Sequence, residues 1–239
     1  MQYGIFLPNG SNGYVISEGV APYLPTFEHQ KAIVEEAEKQ EFSYALPMIK
    51  FKGFGGATGF WDACLEPFTL TGALAAITSK LNFIPTVSLL ALHPAYTARM
   101  TATLANISKG RVGLNIVTGW NKREYGQMDL WPGDEHYQNR YDFAGEYVSI
   151  LKELWETGRC DRKSDYWKLD DCHCFPTPDY EIPIISAGQS PSGKKFCSEH
   201  ADQRFMFGHP AVLDDLEKNK ASPPGFGSYV YVHIITEKT

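Results

Sequence analysis

Short runs of β-branched and aromatic residues, bounded by Gly, Pro and Asn, recur at residues 3–7, 44–46, 81–90, 113–117, 183–187, 204–207 and 229–235. Each reads as a strand. Between most of them the apolar positions fall into a rhythm of three to four residues, over 25–39, 67–78, 94–108, 141–157 and 192–200, which predicts helices. Strands alternating with helices imply parallel strands whose faces the helices cover. Two closures fit this order, an open doubly wound sheet and a (β/α)8 barrel of the TIM type. The first is usually signalled by a glycine fingerprint that opens the first crossover helix. Here the first strand runs into Pro8-Asn9-Gly10-Ser11-Asn12-Gly13 and then a long irregular stretch, so the expected α/β fold is the barrel.

Seven strands are one short of eight, and residues 208–227 leave only 212–220 for a crossover helix. A barrel incomplete at the C-terminus is therefore expected, with the eighth strand and its flanking helices missing, because an unclosed sheet exposes its edges. No repeat or linker divides residues 1–239, which read as one domain. The glycine-rich segment 53–59 follows the second strand, and a polar and aromatic insertion, 125–139, follows the fourth. Both fall on the face where barrel enzymes carry their active-site loops.

Composition narrows the function. A hydrophobic content of 43% excludes disorder for the chain as a whole. Lys and Arg number 22 against 28 Asp and Glu, and the basic residues are scattered, which argues against a nucleic-acid or anionic-membrane partner and for a small molecule. No window has the length of a membrane span and the first residues lack a signal-peptide pattern, so a cytoplasmic location is expected. Five cysteines form an odd, sparse set that suits a reducing compartment. Cys160, Cys172, His173 and Cys174 lack the second paired motif of a tetrahedral zinc site, and no metal is expected.

Walker loops, nucleophile elbows and His-Glu-x-x-His are absent. Two features remain. Asn115 shares a strand face with Val117, and an amide inside a barrel needs a partner; either neighbouring backbone satisfies it, or a bound planar heterocycle does. Ala187-Gly188-Gln189-Ser190-Pro191-Ser192-Gly193 spans a strand end and a helix start, where free N–H groups favour a phosphate. A plain Ser N-cap followed by Pro explains the same residues. Arg140 and Tyr141 could complete a clamp on such a phosphate, although a solvated surface arginine is the commoner case.

The runs Gly53-Phe54-Gly55-Gly56, Phe60-Trp61-Asp62, Asn115-Ile116-Val117-Thr118-Gly119-Trp120, Trp131-Pro132-Gly133-Asp134, Arg140-Tyr141-Asp142 and Ser186-Ala187-Gly188-Gln189-Ser190 together resemble the bacterial-luciferase-like flavin monooxygenases, in particular those that act on pyrimidines. The resemblance runs from the first strand to about Gly208. It implies a (β/α)8 barrel, reduced FMN delivered by a separate NAD(P)H:flavin reductase, O2 as co-substrate, a homo-oligomer, and opening of the uracil or thymine ring to a ureidoacrylate-type product. It places FMN contacts at Ile49, Lys50, Asn115, Glu124, Arg140, Tyr141 and Ser190. Its oxygen-reacting pocket falls on Leu46, Met48, Thr86, Asn115 and Trp120, where the apolar members would exclude water and Thr86 and Asn115 would supply hydrogen bonds. Asn9 and Pro47 depart from the pattern and leave the substrate more open than the cofactor. Another small substrate, such as a sulfone or a halogenated ring, or flavin binding without turnover, are the alternatives.

Overall fold

A parallel wall of strands, curled around a narrow interior and lined outside by helices, organises the chain. The computed structural model describes residues 2–19, 21–208 and 227–231. The strands in order are β1 (Gly4–Leu7), β2 (Tyr44–Pro47), β3 (Asn82–Phe83), β4 (Thr86–Ser88), β5 (Leu114–Val117), β6 (Arg159–Lys163), β7 (Lys168–His173), β8 (Ile184–Ala187), β9 (Gln203–Phe207) and β10 (Gly227–Tyr231). The helices are α1 (Phe27–Lys39), α2 (Pro67–Ile77), α3 (Pro94–Ser108), α4 (Lys122–Gly126), α5 (His136–Thr157) and α6 (Pro191–His200).

One sheet runs β1-β2-β3 and a second β10-β9-β8-β5-β4, all pairs parallel. β3 and β4 are two halves of the predicted strand 81–90. Pro85 has no N–H to give to the ladder, so the regular pairing lapses for two residues. The wall still continues through the gap: Ile84 N–H donates to Ala45 O at 2.9 Å and Asn115 N–H to Pro85 O at 3.0 Å. Seven parallel strand positions result, where the sequence places them; the last includes Gly227–Tyr231, and residues 232–235 of the expected strand lie outside the described residues. The candidate crossover helix 212–220 lies outside the described residues.

Alternation along the strands separates two cores. Leu7, Ala45, Phe83, Val87, Leu114, Ile116 and Ile184 face outward into the large cluster with the helices, whereas Leu46, Ile84 and Ile185 face inward with Phe6, Tyr44 and Phe205. The Phe6 and Phe205 rings meet at 5.7 Å although β1 and β9 are far apart in strand order. The sheet must therefore curl on itself, as a barrel wall does.

The helices hold this wall through buried apolar stripes. α5 buries Tyr147, Val148, Ile150, Leu151 and Leu154 completely, each worth roughly 1.5–3 kcal/mol of transfer free energy. The Tyr147 hydroxyl donates to Leu92 O at 2.9 Å and receives the Thr97 hydroxyl at 2.6 Å, which satisfies a buried phenol. α2 opens on Glu66, whose carboxylate accepts from Phe68 N–H and Thr69 N–H ahead of Pro67 at the first turn. At the other end of α2, Arg111 donates to Ala75 O, Thr78 O and Leu81 O, placing a cation on the negative end of the helix.

Two elements differ from the sequence expectation. Residues 159–173 form an antiparallel hairpin, β6–β7, that no apolar run announces. The insertion 125–139 is shorter as a loop than expected, because α5 begins at His136; Arg140 and Tyr141 lie within its first turns. Among the described residues no helix is long and apolar enough to cross a membrane.

Candidate active site

Register decides which polar side chains share the interior. Thr86 on β4 pairs with Asn115 on β5, and Asn115 pairs with Ile185 on β8, so all three point the same way. The Asn115 amide N–H donates to Thr86 Oγ1 at 2.9 Å. Asn115 is only 8% exposed, yet its Oδ1 has no hydrogen-bond partner. The backbone partner that would make Asn115 an ordinary core amide is therefore not there. A buried amide oxygen without a donor costs about 1–3 kcal/mol, a cost that a ligand N–H would remove. Leu46 closes the interior below this pair, buried with Ile84 and Ile185.

Two residues up β2 from Leu46, Met48 is fixed by Asn9. The Asn9 Oδ1 accepts Met48 N–H at 3.0 Å, while its amide donates to Met48 O at 2.8 Å and Leu65 O at 2.9 Å. Asn9 thus acts as one rung of an extra strand, fully buried with its amide satisfied.

The segment leaving β2 carries Lys50. Its ammonium pairs with Glu124 of α4 at 2.5 Å, both side chains less than a tenth exposed. The other Glu124 oxygen accepts Phe51 N–H at 2.9 Å. α4 is held to the wall by Tyr125, whose hydroxyl accepts from Ser88 Oγ at 2.9 Å; burial pushes this phenol up to about 12. Ser88 shares the face of Thr86 one pleat higher, and neither Ser88 nor Tyr125 stood out in the sequence. Two polar residues at alternate positions of an apolar strand were the available signal. Trp120 differs from expectation: it is 61% exposed, whereas Leu46 and Met48, the other apolar members of the expected pocket, are buried. Ile49 is half-buried beside Lys50.

A second cluster forms where β8 ends. Ser190 caps α6, its Oγ accepting Gly193 N–H at 3.1 Å. Backbone approach here is close enough to demand glycine: a Cβ on Gly188 would stand 2.6 Å from the Gly193 backbone, and one on Gly193 would stand 2.6 Å from the Tyr141 hydroxyl. The Arg140 guanidinium lies over the Tyr141 ring at 4.6 Å. Tyr141 thus reaches the turn that Ser190 caps, whereas the Arg140 guanidinium lies over the Tyr137 ring at 4.0 Å and donates to Tyr137 O; Lys50 and Glu124 form a separate group after β2 and β5. Cavities of about 230 Å³ near Tyr14 and Tyr23 and about 640 Å³ near Lys109 and Tyr180 contain neither group. The larger lies at the N-terminal ends of the strands, away from both.

All five cysteines are free thiols, and burial pushes Cys64, Cys160 and Cys197 up to about 11, so they stay protonated at neutral pH. Among the described residues no three His, Cys, Asp or Glu side chains are grouped to hold a metal. Activity should survive EDTA unchanged; one zinc per chain by metal analysis would contradict this.

A curled parallel wall with helices outside it, a polar pair inside it and a glycine-rich strand-to-helix turn at its rim has the architecture of an α/β barrel. The profile of the luciferase-like monooxygenase family matches residues 1–220, and the chain belongs to that family. Within it, the chain is similar to pyrimidine monooxygenase RutA of Cronobacter turicensis, with 48% identity over 100% of this chain and 66% of the relative. RutA of Pantoea ananatis is 50% identical over 100% of this chain and 68% of its own length. The chain spans about two thirds of the length of these relatives. Among solved structures, a riboflavin lyase with modified FMN and riboflavin superposes with a TM-score of 0.76 at 19% identity, over 96% of this chain and 61% of that one. The long-chain alkane monooxygenase LadA superposes with a TM-score of 0.72 at 22% identity, over 85% and 56%; both support the fold.

Family membership implies a reduced flavin and O2, and the residues present fit a flavin. The unpartnered Asn115 Oδ1 offers an acceptor to a heterocycle, and the Gly188–Gly193 turn, held close by its glycines, lies at the N-terminus of α6, which suits a phosphate.

Proposed function

We propose that this chain is a flavin-dependent monooxygenase that opens the ring of uracil or thymine, with FMN as the flavin and a separate NAD(P)H:flavin reductase as its source of electrons. The observation that carries the reading is the Thr86–Asn115 pair, buried inside the wall with one hydrogen-bonding position unfilled. The names of the relatives support the substrate class. The free thiols support a cytoplasmic setting.

FMN, when bound, supplies the electrons that activate O2 for attack at a ring carbonyl carbon. The chain's own residues bind, orient and shield. Arg140, Tyr141 and Ser190 hold the phosphate, and Asn115 and Ile49 stand against the ring system. The Lys50–Glu124 pair fixes the segment after β2. Thr86 keeps a hydroxyl donor beside the reacting face, and Leu46 and Met48 exclude water that would divert the oxygen to hydrogen peroxide.

The direct test combines the purified protein with FMN, NADH, a flavin reductase and uracil. Enzyme-dependent ureidoacrylate-type product is expected. Turnover of a sulfone or a halogenated ring in place of any pyrimidine would assign a different substrate. A second test addresses the phosphate. Arg140→Ala removes a charge-assisted hydrogen bond worth about 1.5–3 kcal/mol, a loss of roughly tenfold to a hundredfold in FMN affinity. An unchanged dissociation constant on fluorescence titration would move the phosphate elsewhere.

A further inference from the structure

Phe54 belongs to the glycine-rich segment that follows β2, and 57% of it is exposed. The exposure is built in. Phe54 N–H donates to Phe60 O at 3.0 Å, Gly55 bridges Phe60, and Gly55 N–H donates to Asp62 Oδ1 at 3.2 Å. The Phe54 ring also stacks on Phe60 at 6.1 Å. An aromatic held rigidly in solvent loses little entropy when something lies against it.

What it faces is the buried end of Lys50. The ammonium lies 4.9 Å from the Phe54 ring centre and 5.9 Å from that of Trp120, the other large exposed aromatic of this rim. A lysine ammonium has three donors, and the Glu124 carboxylate takes one. No other acceptor for it stands among the described residues. Because Glu124 already balances the charge, the missing partner is a neutral acceptor, not an anion. Two exposed aromatic side chains beside an N–H donor suit a planar, uncharged ring bearing a carbonyl.

We infer that Phe54, together with Trp120, is the stacking platform for a neutral cyclic-imide substrate whose ring carbonyl accepts a hydrogen bond from Lys50. The inference rests on the proposed pyrimidine reaction and adds the residues that would recognise its substrate. The same dione edge occurs on a flavin ring, next to which the resemblance places Lys50. A flavin delivered by a separate reductase is exchanged as the substrate is, so separate titrations of uracil and FMN decide between the two occupants.

The experiment titrates uracil and FMN separately into wild type, Phe54→Ala and Phe54→Tyr, followed by tryptophan fluorescence and calorimetry. Uracil is added both to flavin-free protein and to protein loaded with oxidised FMN, and steady-state kinetics are run alongside. Losing one stacking face should weaken uracil binding and raise its KM about tenfold, with kcat within about twofold. FMN affinity should be unchanged, and Phe54→Tyr should restore wild-type values. Unchanged uracil binding and KM in Phe54→Ala would overturn the inference, as would no uracil binding to either form of the wild type. A parallel loss of FMN affinity would give the edge to the flavin and overturn it too. Absence of uracil turnover by the wild type would sink the proposed reaction instead, leaving the titrations to decide the role of Phe54.

Discussion

Thr86→Val should lower the rate of oxygen transfer about a hundredfold, since one preorganised donor inside a dry site typically accounts for roughly 3 kcal/mol of barrier. Valine nearly matches threonine in shape, so the wall around Leu46 and Ile84 keeps its packing. Two things change: the hydroxyl donor is lost, and the Asn115 N–H that reached Thr86 Oγ1 at 2.9 Å loses its acceptor. The second effect lowers stability by about 1–3 kcal/mol, which makes Thr86→Ser the necessary companion. Serine keeps the oxygen and should recover most of the rate. FMN binding should change far less than turnover, and oxygen consumed without product should appear as hydrogen peroxide. Normal product with normal coupling in Thr86→Val would remove this residue from the chemistry.

Glu124→Ala should be the most destabilising single change in the site. It strands the Lys50 ammonium, less than a tenth exposed, and removes the acceptor of Phe51 N–H. Breaking a buried pair from one side costs about 3–5 kcal/mol. Urea unfolding should show this as a lower midpoint with an unchanged slope. Replacing both partners, Lys50→Met with Glu124→Leu, should recover much of the loss, because no charge is then left buried. A loss below about 1 kcal/mol for Glu124→Ala would mean that the pair behaves as a solvated surface pair.

Much of the wall was legible because parallel strands buried on both faces must be written in β-branched and aromatic residues. The period of two within them also set Asn115 on one face with Val117, whereas Thr86 was named only through the family resemblance. The β6–β7 hairpin escaped for the opposite reason: Arg159-Cys160-Asp161-Arg162-Lys163 is charged and mostly exposed, so its pattern is that of a solvated loop. The first turn of α5 escaped because His136-Tyr137-Gln138-Asn139 has no apolar rhythm and Glu135 makes no side-chain cap. Trp120 was expected in the wall of the pocket. Beyond the last rung of β5 the pleat no longer dictates where a side chain points, and the ring is left mostly exposed. Lys50 and Glu124 stand 74 positions apart, and no local pattern joins them; only the family resemblance set them in one site. The approach of Tyr141 to the Ser190 turn followed from reading both near helix starts at the same end of the wall, although α5 in fact begins a turn earlier, at His136.

Asn9 carries a consequence for how the mouth of the barrel moves. Its one amide joins the end of β1 to Met48 and to Leu65, 39 and 56 positions away, and Leu65 N–H returns to Asn9 O at 2.9 Å. Three loops are thereby tied at one point, so none can open without breaking bonds held by the other two. Amide protons at Met48 and Leu65 should therefore exchange with solvent at a common rate, as members of one cooperative opening unit. Asn9→Ala would divide that unit, letting the segment after β2 fluctuate independently of the turn before α2.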